Sequence, residues 1–136
     1  MNTSANPTKK LDMKALLSNL WVLVYLNILT ADVLSLNIPG SEKFLEATSV
    51  STGAPIPILM LMGAVLNNLS LFMILLSRAL KYGVNRWVNI VMGIVTIMYI
   101  WAFGSPYPHY TFIATVETIC LLLIIVSAWK WSKPEE

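Results

Sequence analysis

Charge is what this sequence has least of. Asp, Glu, Lys and Arg make up 12% of its 136 residues, about half the share found in a soluble globular domain. So little charge excludes an ordinary water-facing surface. The 57% hydrophobic content makes lipid the main solvent. A net charge of +2 implies no acidic partner, and nine Lys and Arg spread along the chain are too thin for a nucleic-acid surface. The single cysteine, Cys120, excludes an internal disulfide and a C-x-x-C redox pair. Inside an apolar run it reads as a small packing residue. No Gly-rich phosphate loop, Ser-His-Asp set or H-E-x-x-H pattern is present, so no cofactor is expected. The single histidine, His109, stands beside prolines and reads as a solvated loop residue, so no metal is expected either.

What is there is hydrophobic length. A helix rises about 1.5 Å per residue, so roughly 20 apolar residues cross a hydrocarbon core of about 30 Å. Four stretches meet this test, at 16–36, 57–76, 87–103 and 110–131. The first is longer than a signal-peptide core and no small-x-small site follows it, so it reads as a span that stays. Pro39, Gly40, Gly53, Pro55 and Pro57 break the chain between the first two spans. Ser41 to Ala47 fits a short interfacial helix there, with Ser41 as N-cap. Ser77 to Arg86 reads as a polar, basic turn, and Gly104 to His109 as a break no helix continues through. Lipid cannot satisfy open strands, which leaves helices as the spanning elements. The expectation is an all-α integral membrane four-helix bundle, one domain over residues 1–136.

Basic residues set the orientation. Lys9, Lys10 and Lys14 precede the first span, Arg78, Lys81 and Arg86 lie between the second and third, and Lys130 and Lys133 follow the fourth. An even number of spans puts all of these on one side, against Lys43 alone on the other. Both termini are therefore expected in the cytoplasm, and the protein in the inner or plasma membrane of the cell as a multi-pass chain.

Several segments also carry a family likeness. They are Leu75 to Tyr82 running into Asn85, Arg86, Trp87, Val88, Asn89 and Ile90; Leu20 and Trp21; Ala31 to Leu36; Val116 and Glu117; and Ala128 to Trp131. In these the chain resembles a prokaryotic family of small four-span membrane proteins of unknown function. At the level of fold it is similar to the DoxX-related four-helix proteins. The resemblance implies the four-helix membrane fold, and acids at the positions of Asp32 and Glu117. It implies no reaction.

Acids inside a span are expensive, so they face the protein interior or a water-filled cavity. Asp32 lies four residues from the outer end of the first span, roughly 6 Å deep. Glu117 lies seven residues into the fourth, roughly 10 Å deep. Ser18, Trp21, Tyr25, Asp32 and Ser35 form one stripe, and Tyr110, Ala114, Glu117, Leu121 and Ala128 another. If those faces meet, Asp32 and Glu117 share a pocket with Tyr25 and Tyr110, and His109 and Tyr107 stand at its mouth. Two carboxylates in such a place do not both ionise easily. The functional reading is a proton-titratable or ligand-binding site open to the outside. The bland one is a hydrated helix end for Asp32 and a neighbour's hydrogen bond for Glu117.

A second polar layer comprises Asn27, Asn67, Asn68, Asn89 and Thr96. It reads as interhelical polar contacts of about 0.6 kcal/mol each. Three functions stay open. The first is binding or transport of a small solute or proton through the acidic pocket, which in so narrow a bundle suggests a homo-oligomer. The second is a non-catalytic accessory subunit of a membrane complex. The third is a small membrane enzyme, for which a nucleophile or metal set is wanting. The expected partners are the lipid bilayer, a small-molecule ligand and further copies of the chain, with no nucleic acid.

Overall fold

The computed structural model describes residues 12–133. Five helices follow one another: α1 (Met13–Leu36), α2 (Ser41–Thr52), α3 (Ile56–Ala79), α4 (Tyr82–Ala102) and α5 (Pro108–Lys130). Four of them, α1, α3, α4 and α5, are long and apolar enough to cross a membrane. The longest, at 24 residues, reach about 36 Å at the helical rise.

Each helix starts and stops for local reasons. Asp12 caps α1, its carboxylate accepting from the backbone N–H of Lys14 at 3.1 Å and of Ala15 at 3.3 Å. Prolines open α3 and α5, where their missing N–H is no loss. The short helix expected between the first two spans is present but extends to Thr52, and its N-cap is Gly40 at φ 84° rather than Ser41. Ser41 is drawn into the helix because Gly40 takes the left-handed turn a side chain would resist. The basic turn is also shorter than expected, since α3 runs through Arg78 and α4 already starts at Tyr82. Helices can outlast the apolar stretch because Arg side chains reach back to the interface along their apolar stems.

α1 packs against both α5 and α3, and α5 also packs against α4. The core follows: Leu17, Trp21, Val24 and Ile28 of α1 meet Leu121, Ile124 and Ala128 of α5. Gly93 lets α4 close on α5, since a Cβ there would lie 2.8 Å from the Ile125 side chain. α3 is the least enclosed helix, burying only Ser70, Met73 and Ser77. Most of its other large apolar side chains, among them Leu61, Val65, Phe72 and Leu75, are exposed, as a lipid-facing surface requires.

A hydrogen-bonded network ties the basic end. Asn89 Oδ1 accepts from Trp21 Nε1 at 2.7 Å and Ser77 Oγ at 3.1 Å. Asn89 Nδ2 donates to Asn85 Oδ1 at 2.7 Å, and Asn85 Nδ2 donates to the Ser77 carbonyl at 2.7 Å. Thus α1, α3 and α4 are joined inside an apolar core, and Asn85 and Asn89 near the start of α4 have a structural duty. Beside it, Arg86 stacks against Trp87 and Trp129 and donates to the Trp129 carbonyl. Lys14, Arg78, Lys81, Arg86 and Lys130 all fall at this end of the helices. Lys9 and Lys10 lie outside the described residues.

The rest of the expected polar layer is arranged differently. Asn27, Asn68 and Thr96 donate to carbonyls one turn back on their own helices, at Leu23, Ala64 and Met92. Only Asn89 of the five bonds across helices. A short polar side chain always finds its own i−4 carbonyl within reach, whereas a partner on a neighbouring helix depends on packing. Asn67 makes no cross-helix bond: its Oδ1 is buried with no partner.

Candidate functional site

Away from the basic end, the helices enclose a cavity of about 50 Å³. α1 contributes Ile28, Ala31 and Asp32, α4 contributes Tyr99 and Ile100, and α5 contributes Tyr110 and Glu117. The two acids of similar predicted depth therefore line one space. They do so because α1 and α5 pack along their lengths, with Ala31 and Ala114, both buried, bringing the helices close.

Glu117 is 2% exposed, and its Oε1 has no hydrogen-bond partner. Buried polar atoms are nearly always paired, so an orphan carboxylate oxygen on a residue that lines a cavity asks for a donor. The space is large enough for a few water-sized groups. Asp32 lies nearer the mouth and is exposed.

Through Asp32, Tyr99, Phe103 and Tyr110 the cavity adjoins a wider groove of about 600 Å³. Leu59, Met60 and Met62 of α3 and Phe44 and Leu45 of α2 give that groove an apolar wall. It separates α3 from α4 at this end, where the Tyr99 hydroxyl reaches across toward Gly63. A Cβ at Gly63 would sit 3.3 Å from that oxygen.

The other expected site residues divide. Tyr110 lines both spaces and donates its hydroxyl to the Ile100 carbonyl at 2.8 Å. Tyr107 lines the groove. His109 does not line either space. Its Nε2 lies 3.2 Å from Ser35 Oγ and its ring stacks on Tyr107, so it ties the end of α1 to the start of α5. Tyr25 is absent from the lining too, because it lies two turns further toward the basic end, beyond the cavity floor. Tyr99 and Phe103 were not anticipated. Their signal was the i, i+4 aromatic pair at the end of the third span, which by itself reads as an interfacial belt.

Gly104 shapes this site from the turn before α5. A Cβ there would lie 2.8 Å from the Ile100 carbonyl oxygen and 2.7 Å from Tyr110 Cε1. Gly104→Ala is expected to push the Tyr110 ring from the carbonyl it bonds and to destabilise the fold by about 1–3 kcal/mol. Gly83→Ala meets nothing within 4 Å and sits in α4, so it should stabilise slightly. Melting temperatures of the two variants in detergent check this. Equal shifts in the same direction would contradict the packing described.

Comparison with known proteins adds a family. Residues 8–136 match a family model described as a family of unknown function, DUF6326. No curated protein and no solved structure matches the chain.

Proposed function

The chain belongs to DUF6326, and since that family carries no known activity, we propose from the site itself that this protein binds a small cation or protonated solute between Asp32 and Glu117, and carries it across the membrane. The observation behind this reading is Glu117, whose Oε1 is buried without a partner and whose side chain lines one cavity with Asp32. A carboxylate is kept in such a place when its charge or its proton has work to do, because a neutral amide would pack equally well. The protein is then a binding or transport protein rather than an enzyme, and the two acids are its central residues.

The experiment is a titration of the purified protein with methylammonium, read as melting temperature. A ligand that binds only the folded state raises it. A rise in the native protein that is absent in Glu117→Gln supports the reading. An equal rise in both, or none in either, contradicts it.

The four spans would form a bundle with both termini in the cytoplasm and the acid cavity open to the outside. The support is charge. Among the described residues, Lys14, Arg78, Lys81, Arg86, Lys130 and Lys133 belong to one end of the helices and Lys43 alone to the other, and the positive-inside tendency places the basic end in the cytoplasm. Single cysteines at Lys81 and Ser51, both exposed positions, are made in a background lacking Cys120. In intact cells a membrane-impermeant thiol reagent is expected to label Ser51→Cys and to spare Lys81→Cys. The reverse pattern would invert the topology.

The accessory-subunit reading draws on one observation, the large uncovered apolar face of α3. Lipid covers such a face as well as another chain does.

A further inference from the structure

We infer that the ligand is an amphipathic primary amine in its protonated form, its ammonium group held at Asp32 and Glu117 and its apolar body lying in the groove between α2, α3 and α4. This rests on the reading of the acid pair given above and adds the class of molecule that fits around it.

Three observations meet at this place. The first is continuity. Asp32, Tyr99, Phe103 and Tyr110 belong to both the cavity and the groove, so one molecule can occupy the two together. A groove of about 600 Å³ is of the size that holds a drug-sized ligand.

The second is charge. Asp32 and Glu42 line the groove and Glu117 the cavity, and neither lining contains Lys, Arg or His. An anion would find no counter-charge here, whereas a cation would find Glu42 along the groove and the acid pair at its inner end.

The third is the inventory of unpaired atoms. Among the described residues four buried side-chain polar atoms lack a partner: Asn67 Oδ1, Ser105 Oγ, Glu117 Oε1 and Arg86 Nε. Asn67 and Ser105 line the groove and Glu117 lines the cavity, whereas Arg86 lies at the opposite end of the helices. The three around the site can all accept hydrogen bonds. An ammonium group offers three donors and no acceptor, which matches the carboxylate better than a quaternary nitrogen without N–H groups. Neutral alcohols would meet the acceptors but leave the carboxylates without a counter-charge.

Hexylammonium, methylammonium and 1-hexanol separate body from head. Each is titrated against the full chain in nanodiscs of neutral lipid, by calorimetry at a pH where both amines are protonated. Hexylammonium is expected to bind more tightly than methylammonium, by about fourfold for each methylene that enters the groove, and more tightly than 1-hexanol. Ala64→Trp places a large ring in the groove wall, at a position that is exposed and away from the acid cavity. It should remove the advantage of the hexyl chain and leave methylammonium binding intact. Ala64→Phe serves the same end if the larger ring prevents folding. Equal affinity for the two amines, or a chain-length gain that both groove variants retain, would overturn the inference while leaving the acid site standing. Binding of both amines that is indifferent to Glu117→Gln would instead remove the underlying reading.

Discussion

Replacing Glu117 with Gln is expected to leave the protein folded and to weaken methylammonium binding by about 100-fold or more. Truncating one partner of a buried charge pair typically costs 2–5 kcal/mol of binding. The variant keeps the size and shape of the side chain. Its Oε1 position makes no hydrogen bond in the native protein, so no internal bond is lost with the charge. Glu46 provides the control. It lies on α2, is exposed, and belongs to neither lining. Glu46→Gln removes the same charge from the same side of the molecule and should leave binding unchanged. Equal losses in the two variants would show that a diffuse negative potential attracts the amine, rather than a site.

Asn89→Leu should have the largest effect on stability. Asn89 is fully buried and bonds three side chains on three helices: Trp21 on α1, Ser77 on α3 and Asn85 on α4. Leucine keeps the branched shape and is somewhat larger, so no cavity is left behind. What remains is three polar groups left without partners, including the Trp21 indole N–H, which is fully buried as well. An abandoned buried donor costs about 1–3 kcal/mol in water-soluble proteins. In membranes single bonds average nearer 0.6 kcal/mol, because the unfolded helices find other partners. A loss of about 2–3 kcal/mol is expected from the three together. Asn68→Leu gives the contrast, since Asn68 is exposed on α3 and bonds only its own helix. That change should be neutral or stabilising. Unfolding of the two variants in mixed micelles measures the difference, and similar losses would mean the network contributes little.

Those two asparagines also show how far the sequence could be read. The four spans were legible because lipid demands a minimum apolar length, and 16–36, 57–76, 87–103 and 110–131 each lie within a few residues of a long helix. The ends were less so. α4 starts at Tyr82 instead of Trp87 because Asn85 is buried and finds partners at Ser77 and Leu80, which hydropathy alone does not see. α2 outruns Ala47 because Thr48, Ser51 and Thr52 bond carbonyls within the helix and Gly53 ends it in a left-handed turn. The depth of an acid follows from counting along a span, so Asp32 and Glu117 could be placed at matching levels. Which side chains surround them depends on how the helices are rotated, and that is decided by contacts distant in sequence. Gly93 against Ile125 fixes α4 on α5, and Gly63 makes room for Tyr99. The same holds for Tyr25, which shares a stripe with Asp32 by helical geometry but sits two turns from it, below Ile28 and outside the cavity lining. The groove was out of reach, because it is made by α2, α3 and α4 together and by no motif in any one of them.

If Asp32 and Glu117 act as one site, a double-variant cycle shows it. Methylammonium affinity is measured for the native protein, Asp32→Asn, Glu117→Gln and the variant carrying both. Independent groups give losses that multiply, whereas groups serving one bound ion do not. The expected result is a large loss in each single variant and little further loss in the double. Full multiplication of the two losses, or native affinity in Asp32→Asn, would contradict a shared site.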